Sequence, residues 1–336
     1  ELPQIVKLER GLYAASFPLM KLMPAKFILD RAGEAGILRP GSLVAETTSG
    51  TFGLALSILC NLRGYKFTMV SDPVVDGRLR RRLEELGTTV DIAPEPAAVG
   101  GFQAARMARL RKVLHDNPGS FWPSQYDNAQ NPGAYAKLAE MLTSVIGQID
   151  CLVGTVGSGG SMCGTSASLR LVFPKLHAIG VDTTNSVLFG QPDGPRLVRG
   201  LGNSIMPKNV DHTTFDEVHW VAPAPAFGAT RQLHQSSGMF AGGTSGTAYL
   251  VARWYARAHP DRTTVVIFPD EGHRYQDTIY DDDWLGRNNL RAPLPDAPCE
   301  VSHPADGSTA PWSCLAWKRR TYEQVMGQSF RAAWQS

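Results

Sequence analysis

The sequence predicts an α/β fold, with parallel β-sheet covered by helices on both faces and the chain divided between two domains. Three observations predict it. Short β-branched runs alternate with amphipathic helical patterns along most of the 336 residues, and that order places parallel strands between crossover helices. Glycine-rich turns follow two of the strands, where each strand hands over to a helix N-terminus. Hydrophobic residues make up 43% and charged residues 19%, the balance of an ordinary globular chain with a sizeable core. The length suits two domains sharing a cleft.

Taken in order, the strand-like runs are "SLVAET" (42–47), "KFTMVSD" (66–72), "TTVDIA" (88–93), "CLVGTVG" (151–157), "LHAIGVD" (176–182) and "TTVVIFPD" (263–270). Helical patterns start at Phe52, Arg78, Ala104, Ala134 and Ser245. Gly64 and Gly87 stand where helix C-caps belong. The basic run from Arg78 to Arg82, followed by Glu84 and Glu85, reads as one solvated helix face with i,i+4 partners. A second βα series begins at "GQIDCLVG", which puts a first domain at 1–147 and a second at 148–286. From 287 to 336 the rhythm stops: a Pro/Ser/Ala-rich, loop-like segment precedes a last amphipathic stretch, "YEQVMGQSFRAAW".

Composition excludes several classes of function. A formal net charge of +2 gives no electrostatic case for nucleic acid or an anionic membrane. The five cysteines (Cys60, Cys151, Cys163, Cys299, Cys314) are odd in number, scattered and without C-x-x-C, so neither a disulfide framework nor a zinc site is indicated. Cys60, Cys151 and Cys163 read as reduced core thiols. No metal is expected, and the acidic run Asp281, Asp282, Asp283 reads as a solvated turn. No apolar run approaches the roughly 20 residues that span a bilayer. With no leader pattern at Glu1, the cytoplasm is the expected compartment.

Three segments carry chemistry. "SFPLMKLMPA" sets Lys21 among large apolar residues with Pro18 and Pro24 on either side, and reads as irregular backbone that turns a lysine inward. A buried ammonium loses hydration, so its pKa falls and the neutral amine becomes a nucleophile towards an aldehyde; the competing reading is a lysine that snorkels to water. "ETTSGTFGLAL" (46–56) brings hydroxyls and backbone N–H groups to a helix N-terminus, where an anion is favoured. "GTVGSGGSMCG" (154–164) makes a side-chain-poor cradle suited to a phosphate. It is neither a Walker loop nor G-x-G-x-x-G, because Met162 takes the third glycine position. A tight βα connection explains either turn taken alone. Two anion cradles and a buried lysine suit a ligand bearing a phosphate and an aldehyde, beside a substrate with a carboxylate. Pyridoxal 5'-phosphate has both groups.

The order of motifs (the Lys21 loop, "ETTSG", "GSGGS", "GGTSGTA", "FPDEGHRY") resembles the cysteine synthase (O-acetylserine sulfhydrylase) family of fold-type II pyridoxal-phosphate enzymes, from about Lys7 to Leu285. The resemblance implies two three-layer αβα domains of the tryptophan synthase β-like kind, with the cofactor in the cleft between them, and a homodimer. Lys21 matches the Schiff-base lysine, and Thr48, Ser49, Gly50 and Thr51 match the loop that closes on the substrate carboxylate, Thr51 standing also at a cofactor-contacting position. Gln125, in "SQYDNAQNP", matches a glutamine on the same carboxylate. Gly157, Ser158, Gly159, Gly160 and Ser161 match the phosphate cradle, and Gly200 and Gly202 a glycine pair lining the mouth. Thr244 matches the hydroxyl residue at the pyridine nitrogen, with Ser245 the alternative one position on. A hydroxyl there, unlike an aspartate, leaves the ring largely unprotonated and favours expulsion of a β leaving group.

The implied reaction is β-replacement on an activated L-serine derivative, O-acetylserine or O-phosphoserine, with a small nucleophile. A sulfur nucleophile giving cysteine or an S-substituted cysteine such as S-sulfocysteine is the first expectation; an amine nucleophile, or β-elimination in the manner of a dehydratase or desulfhydrase, is the alternative. A regulatory or binding module with a decayed site is the non-enzyme reading. Departures from the family pattern motivate these alternatives: Thr51-Phe52 stands for the usual Asn-Thr, Tyr135 for a histidine, and Gly243 for a bulkier apolar residue. Arg196, Arg199, His273 and Arg274 are candidates to meet a charged leaving group, against the simpler reading of exposed loop residues.

Overall fold

The strands of the computed structural model, which describes residues 1–73, 75–98 and 101–330, run in chain order β1 (Gln4–Glu9), β2 (Leu12–Ser16), β3 (Leu43–Thr47), β4 (Lys66–Ser71), β5 (Thr88–Ile92), β6 (Cys151–Thr155), β7 (His177–Thr183), β8 (Glu217–Val221), β9 (Thr264–Phe268), β10 (Cys299–Glu300) and β11 (Trp312–Ala316). All six strands expected from β-branched runs form, each within two residues of its expected start. Their helices form too, and Gly64 caps the helix Thr51–Arg63 in the left-handed conformation at φ +68°. Arg80 and Glu84 make the expected i,i+4 pair at 2.8 Å on an exposed face.

The chain divides into two units. One comprises Glu1–Met20 with Tyr135–Phe330, the other Lys21–Ala134. This differs from the expected partition at 147 and 286, and the reason is sheet pairing. The unanticipated hairpin β1–β2 adds β2 parallel to β9, which draws the N-terminus into the later half. The helix Ala136–Ile146 packs on the helix Gly160–Val172 and goes with it. The segment after 287 joins the same unit through β11, which pairs antiparallel with β8.

The larger unit holds an eight-stranded sheet in the order β1-β2-β9-β6-β7-β8-β11-β10. Its five inner strands, β2 to β8 in that order, are parallel, as expected. The sheet as a whole is mixed, because β1 runs antiparallel to β2 and β11 runs antiparallel to β8. Leu12, Val153, Ile179, Val221, Val266 and Phe268 share one core with Phe227, Tyr249 and Trp312. The smaller unit has the parallel sheet β3-β4-β5, with Ala45, Val70 and Leu110 packed at its centre.

Helices beyond the quoted patterns include Leu22–Glu34, Pro223–Ser237, the short Asp282–Arg287 where a turn was expected, and Gly160–Val172, of which only the N-terminus was expected. Leu22–Glu34 starts directly after Lys21, so the lysine segment is a helix N-terminus and not wholly irregular backbone. Pro24 falls in its first turn, where the missing N–H is one that no helix would satisfy. Gly160–Val172 opens in a run of Gly, Ser and Cys that carries no apolar stripe. Pro223–Ser237 begins with proline at its first position. The tail is likewise more ordered than a loop: Trp312 is 1% exposed within β11. The helix Tyr322–Met326 has a capping box between Thr321 and Gln324 and ends at Gly327; the last residues of the expected amphipathic stretch, 331–334, lie outside the described residues. Among the described residues no helix is long and apolar enough to cross a membrane.

Candidate active site

The smaller unit carries Lys21, Thr48, Ser49, Gly50, Thr51 and Gln125. Lys21 is the N-cap residue of the helix Leu22–Glu34. Protein packed around its ammonium lowers the pKa to about 8 by desolvation, and the positive end of a helix disfavours a cation further. An appreciable neutral fraction at physiological pH is the property an amine nucleophile needs.

The carboxylate loop follows β3. Val70 O accepts from Thr48 N at 3.1 Å, the Thr48 hydroxyl accepts from Gly50 N at 3.3 Å, and Gly50 is the N-cap of the helix Thr51–Arg63. Gly53 lets that helix seat on the sheet, because a Cβ there would lie 2.4 Å from Met69 Sδ and 2.8 Å from Thr48 Cγ2. The unpaired N–H groups of the first turn thus stand beside Thr48, Ser49 and Gly50, an arrangement suited to a carboxylate.

One residue of this region was quoted in the sequence motif but given no role. Glu46 is 1% exposed at the end of β3. Its Oε1 accepts from Thr47 N at 2.8 Å and from Trp122 Nε1 at 3.0 Å, and its Oε2 accepts from Gln125 N at 3.2 Å. Burial pushes the carboxyl up to about 7, against the lowering effect of these donors. Glu46 therefore ties the strand that feeds the Thr48–Thr51 loop to the segment carrying Gln125. Gln125 is itself buried, and its carbonyl accepts from Asn131 Nδ2 at 2.5 Å. An acidic residue inside an otherwise apolar strand was the available signal. Phe52 is 2% exposed, so its ring is core material beneath the loop.

The larger unit carries Gly157, Ser158, Gly159, Gly160, Ser161, Gly200 and Thr244. The glycine turn joins β6 to the helix Gly160–Val172, with Gly159 as N-cap at φ +85°. A Cβ on Gly159 would lie 2.4 Å from the Asn209 carbonyl oxygen, so only glycine fits. Gly157 packs on the next loop, where a Cβ would be 3.1 Å from Gly200 O. Gly200 in turn adjoins Thr244, whose Cγ2 would be 3.7 Å from a Cβ there. The structure thus brings the glycine cradle, the mouth glycine and the candidate ring-nitrogen hydroxyl into one contiguous patch. The cradle is bare backbone at the N-terminus of a thirteen-residue helix, and this fits a phosphate. Within the larger unit this donor set fits the phosphate of pyridoxal 5'-phosphate, and within the smaller unit the depressed Lys21 amine fits its aldehyde.

Thr244 opens the helix Gly243–Ala258. Its neighbour Ser245, the one-position alternative, is fully buried with its hydroxyl directed to Asp270 O at 3.5 Å. Gly243 is explained by packing: a Cβ would lie 2.8 Å from Ile279 Cδ1. Arg196 is committed to its own loop, donating to Asp193 Oδ1 at 2.8 Å, to Gly194 O at 3.0 Å, and to Asn185 O and Ser204 Oγ. It holds the mouth loop together and is not poised for a leaving group. His273 is 71% exposed at the side chain, 3.5 Å from Glu271. Asp281 caps the helix Asp282–Arg287 by accepting from Trp284 N at 2.9 Å, which accounts for the acidic run.

Comparison with known proteins matches these features. Residues 5–270 match the family described as "Pyridoxal-phosphate dependent enzyme". The chain is 33% identical over 282 residues to N-(2-amino-2-carboxyethyl)-L-glutamate synthase of Cupriavidus metallidurans, covering 82% of this chain and 83% of that one. It is 32% identical over 298 residues to the protein of the same name in Ralstonia nicotianae, covering 85% and 88%. Among solved structures it resembles an O-acetylserine dependent cystathionine beta-synthase from Helicobacter pylori, with TM-score 0.77, 24% identity, and 83% and 96% of the two chains covered. It also resembles O-ureido-L-serine synthase, with TM-score 0.75, 24% identity, and 84% and 96% covered. With a family match across most of its length and an α/β architecture of the tryptophan synthase β-like, fold-type II kind, this chain is an enzyme that belongs to the pyridoxal-phosphate-dependent enzyme family.

Proposed function

We propose that the enzyme transfers a 2-amino-2-carboxyethyl unit from an activated L-serine derivative to the amine of an amino acid, with L-glutamate the first acceptor to test. One observation carries this reading: two relatives above 30% identity, each matched over more than four-fifths of both chains, are named for a product with that unit on the nitrogen of L-glutamate. An amine nucleophile therefore moves ahead of the sulfur nucleophile that the motifs alone put first. The structures resembling this chain lie below 25% identity and support the fold, not the choice of nucleophile.

Pyridoxal 5'-phosphate, when bound, supplies an electron sink that acidifies the substrate Cα proton and loosens a β leaving group. The chain's own residues do the rest in this reading. Lys21 Nζ would hold the cofactor at its aldehyde end and would serve as the base for the substrate Cα proton, roles that a pKa of about 8 suits. The backbone N–H groups of Gly157, Ser158, Gly159, Gly160 and Ser161 hold the phosphate. Thr48, Ser49, Gly50 and Thr51 hold the amino-acid carboxylate together with Gln125, Thr51 also reaching the cofactor. Gly200 keeps the mouth free of side chain, and the Thr244 hydroxyl meets the pyridine nitrogen.

The test supplies purified holoenzyme with O-acetylserine or O-phosphoserine, each paired with L-glutamate, sulfide or thiosulfate, and identifies products by mass spectrometry. N-(2-amino-2-carboxyethyl)-L-glutamate from one donor is the expected result. Cysteine or S-sulfocysteine in its place returns the reading to sulfur, and pyruvate regardless of nucleophile makes the enzyme an eliminase.

A further inference from the structure

Between β7 and β8 the chain runs far without a strand, and loops of such length commonly serve function. This loop carries Gly200 and Gly202 against the cradle: Gly202 N donates to Val156 O at 3.1 Å, and a Cβ on Gly157 would lie 3.1 Å from Gly200 O. Its two ends are fastened to each other. Val187 N donates to Asn203 O at 3.0 Å, and Asn203 N donates to Ser186 Oγ at 3.1 Å. Its middle is fastened to Asn185, whose carbonyl accepts from Gly194 N at 3.2 Å and from the Arg196 guanidinium, and whose Nδ2 donates to Pro195 O at 3.0 Å. Asn185 does this at φ +65°, a left-handed conformation uncommon for any residue but glycine, which its partners must sustain.

The C-terminal segment reaches Asn185 through one side chain. Gln191 is 3% exposed; its Oε1 accepts from Asn185 N at 3.1 Å, and its Nε2 donates to Pro304 O at 3.4 Å. The tail also presses on the residues just before it. A Cβ on Gly190 would collide with Met326 Sδ and lie 3.3 Å from Pro304 Cβ, and the Phe189 ring meets Trp317 edge-on at 5.3 Å. His212 Nε2 donates to Leu188 O at 2.7 Å, while the His212 ring stacks on Trp317 at 5.6 Å. The family match stops at residue 270, so the tail's side of these contacts lies beyond it.

We propose that Gln191 is a positioning residue: through it the C-terminal segment, residues 304–326, sets the place of the mouth loop and so the ease with which substrate binds. The inference rests on the reading that Gly200 and Gly202 line the mouth. Without the Gln191 amide, Asn185 N and Pro304 O each lose a partner, and less holds Asn185 in its left-handed backbone. The next residue is Ser186, whose hydroxyl oxygen accepts from Asn203 N, so the disturbance passes from the entrance of the loop to its exit at Gly202 and Asn203. The phosphate cradle is held separately, with Gly159 capping its own helix and seated against Asn209, and keeps its affinity for the cofactor.

The experiment uses the full-length holoenzyme and two readouts. One is the concentration of serine donor, O-acetylserine or O-phosphoserine, that half-saturates the absorbance change of the bound cofactor. The other is hydrogen exchange at the backbone amides of Gly202 and Asn203, which needs no turnover. Gln191→Met keeps the volume and removes both bonds. It is expected to raise half-saturation about fivefold and to speed exchange about tenfold at both amides, with cofactor affinity unchanged. Met326→Ala, which meets the loop only from the tail, is expected to move both readouts the same way, and the double variant to fall short of the sum because both act by one route. If either readout is unmoved in Gln191→Met, that residue only packs, and the proposal is overturned. Gly200→Ala tests the reading beneath it by placing a methyl at the mouth itself. A raised half-saturation there, with none in Gln191→Met, overturns the positioning role alone; no change in Gly200→Ala removes the mouth and the proposal together. Should Gln191→Met fail to fold by circular dichroism, Gln191→Glu replaces it. One carboxylate oxygen still accepts from Asn185 N while the other faces the Pro304 carbonyl, so only the tail's hold is cut, and unmoved readouts overturn the proposal.

Discussion

Glu46 Oε2 and Gln125 N lie 3.2 Å apart, joining a strand end to a loop far along the chain through one buried carboxyl. Its Oε1 already serves Thr47 N and Trp122 Nε1. In Glu46→Gln the amide oxygen keeps those two bonds, and the –NH2 is left facing the Gln125 N–H, donor against donor. The segment carrying Gln125 comes loose while the glycine cradle, in the other unit, is untouched. KM for the serine donor is expected to rise about tenfold, equivalent to ~1.4 kcal/mol, with cofactor affinity unchanged. Steady-state kinetics and cofactor titration read the two separately, and an unchanged KM removes Glu46 from this role.

The same carboxyl makes stability depend on pH. Burial raises Glu46 to about 7, and burial likewise raises Asp182, at the end of β7, to about 7. Both values lie above those of an unfolded chain, so between about 4 and 7 the native state binds more protons than the unfolded state. Stability contributed by these groups is complete below that window and declines as pH rises through it. Urea midpoints measured from pH 4.5 to 7.5 are expected to have a descending component, reduced in Glu46→Gln. A parent and variant with the same pH dependence contradict the raised value for Glu46.

Gly159→Ala tests the cradle. The residue sits at φ +85°, and an added Cβ meets backbone, the Asn209 carbonyl oxygen at 2.4 Å, which cannot rotate away. Left-handed backbone and overpacking each cost about 1–3 kcal/mol. The variant is expected to lose cofactor affinity at least a hundredfold and to melt several degrees lower. Gly50→Ala, where an added Cβ meets nothing within 4 Å, is the control for a glycine without close neighbours. Equal effects at the two positions refute the packing argument.

The order of elements was legible in the sequence where β-branched runs are bounded by Gly or Pro, which is why β3 through β7 and β9 are found within two residues of their expected starts. What escaped depends on partners distant in the chain. The strand β2 reads "LYAAS" and is a strand because β9 lies beside it. The strand β11 sits in a Pro/Ser-rich segment and is held by β8. The glycine cradle and Lys21 are visible because their residue types are unusual for their surroundings. Glu46 stood out only as an acid inside an apolar strand, a signal that becomes informative once its burial and donors are known.

Lys21 predicts how fast the apoenzyme takes up its cofactor. Only the neutral amine attacks an aldehyde, and desolvation brings Lys21 down to about 8. The rate of appearance of the yellow, lysine-bound cofactor is expected to climb up to about pH 8 and then level off. An amine of ordinary basicity, near 10.4, would keep the rate rising through pH 10. Lys21→Ala is expected to develop no such absorbance at any pH and to retain its circular dichroism spectrum; a yellow, active variant removes Lys21 from the site.

Trp312 tests whether the tail belongs to the sheet. Its Nε1 donates to His219 Nδ1 at 3.1 Å, and His219 Nε2 lies 3.3 Å from Glu217 Oε2. An indole N–H only donates, so Nδ1 must accept, which fixes the imidazole as the neutral tautomer with its proton on Nε2 facing Glu217. Burial favours that form by lowering the His219 pKa. Trp312→Phe keeps an aromatic ring in the core but leaves Nδ1 a buried acceptor with no donor, at a cost of about 2 kcal/mol. Tm is expected to fall by about 4–8 °C, with kcat and cofactor affinity unchanged because the pair lies at the β8–β11 end of the sheet. Since β8 is a fully paired inner strand only while β11 covers it, removing residues 299–330 is expected to do more than the point substitution and leave an exposed edge that associates with other chains. A truncated protein that stays monodisperse at the parent's Tm would make the tail an appendage.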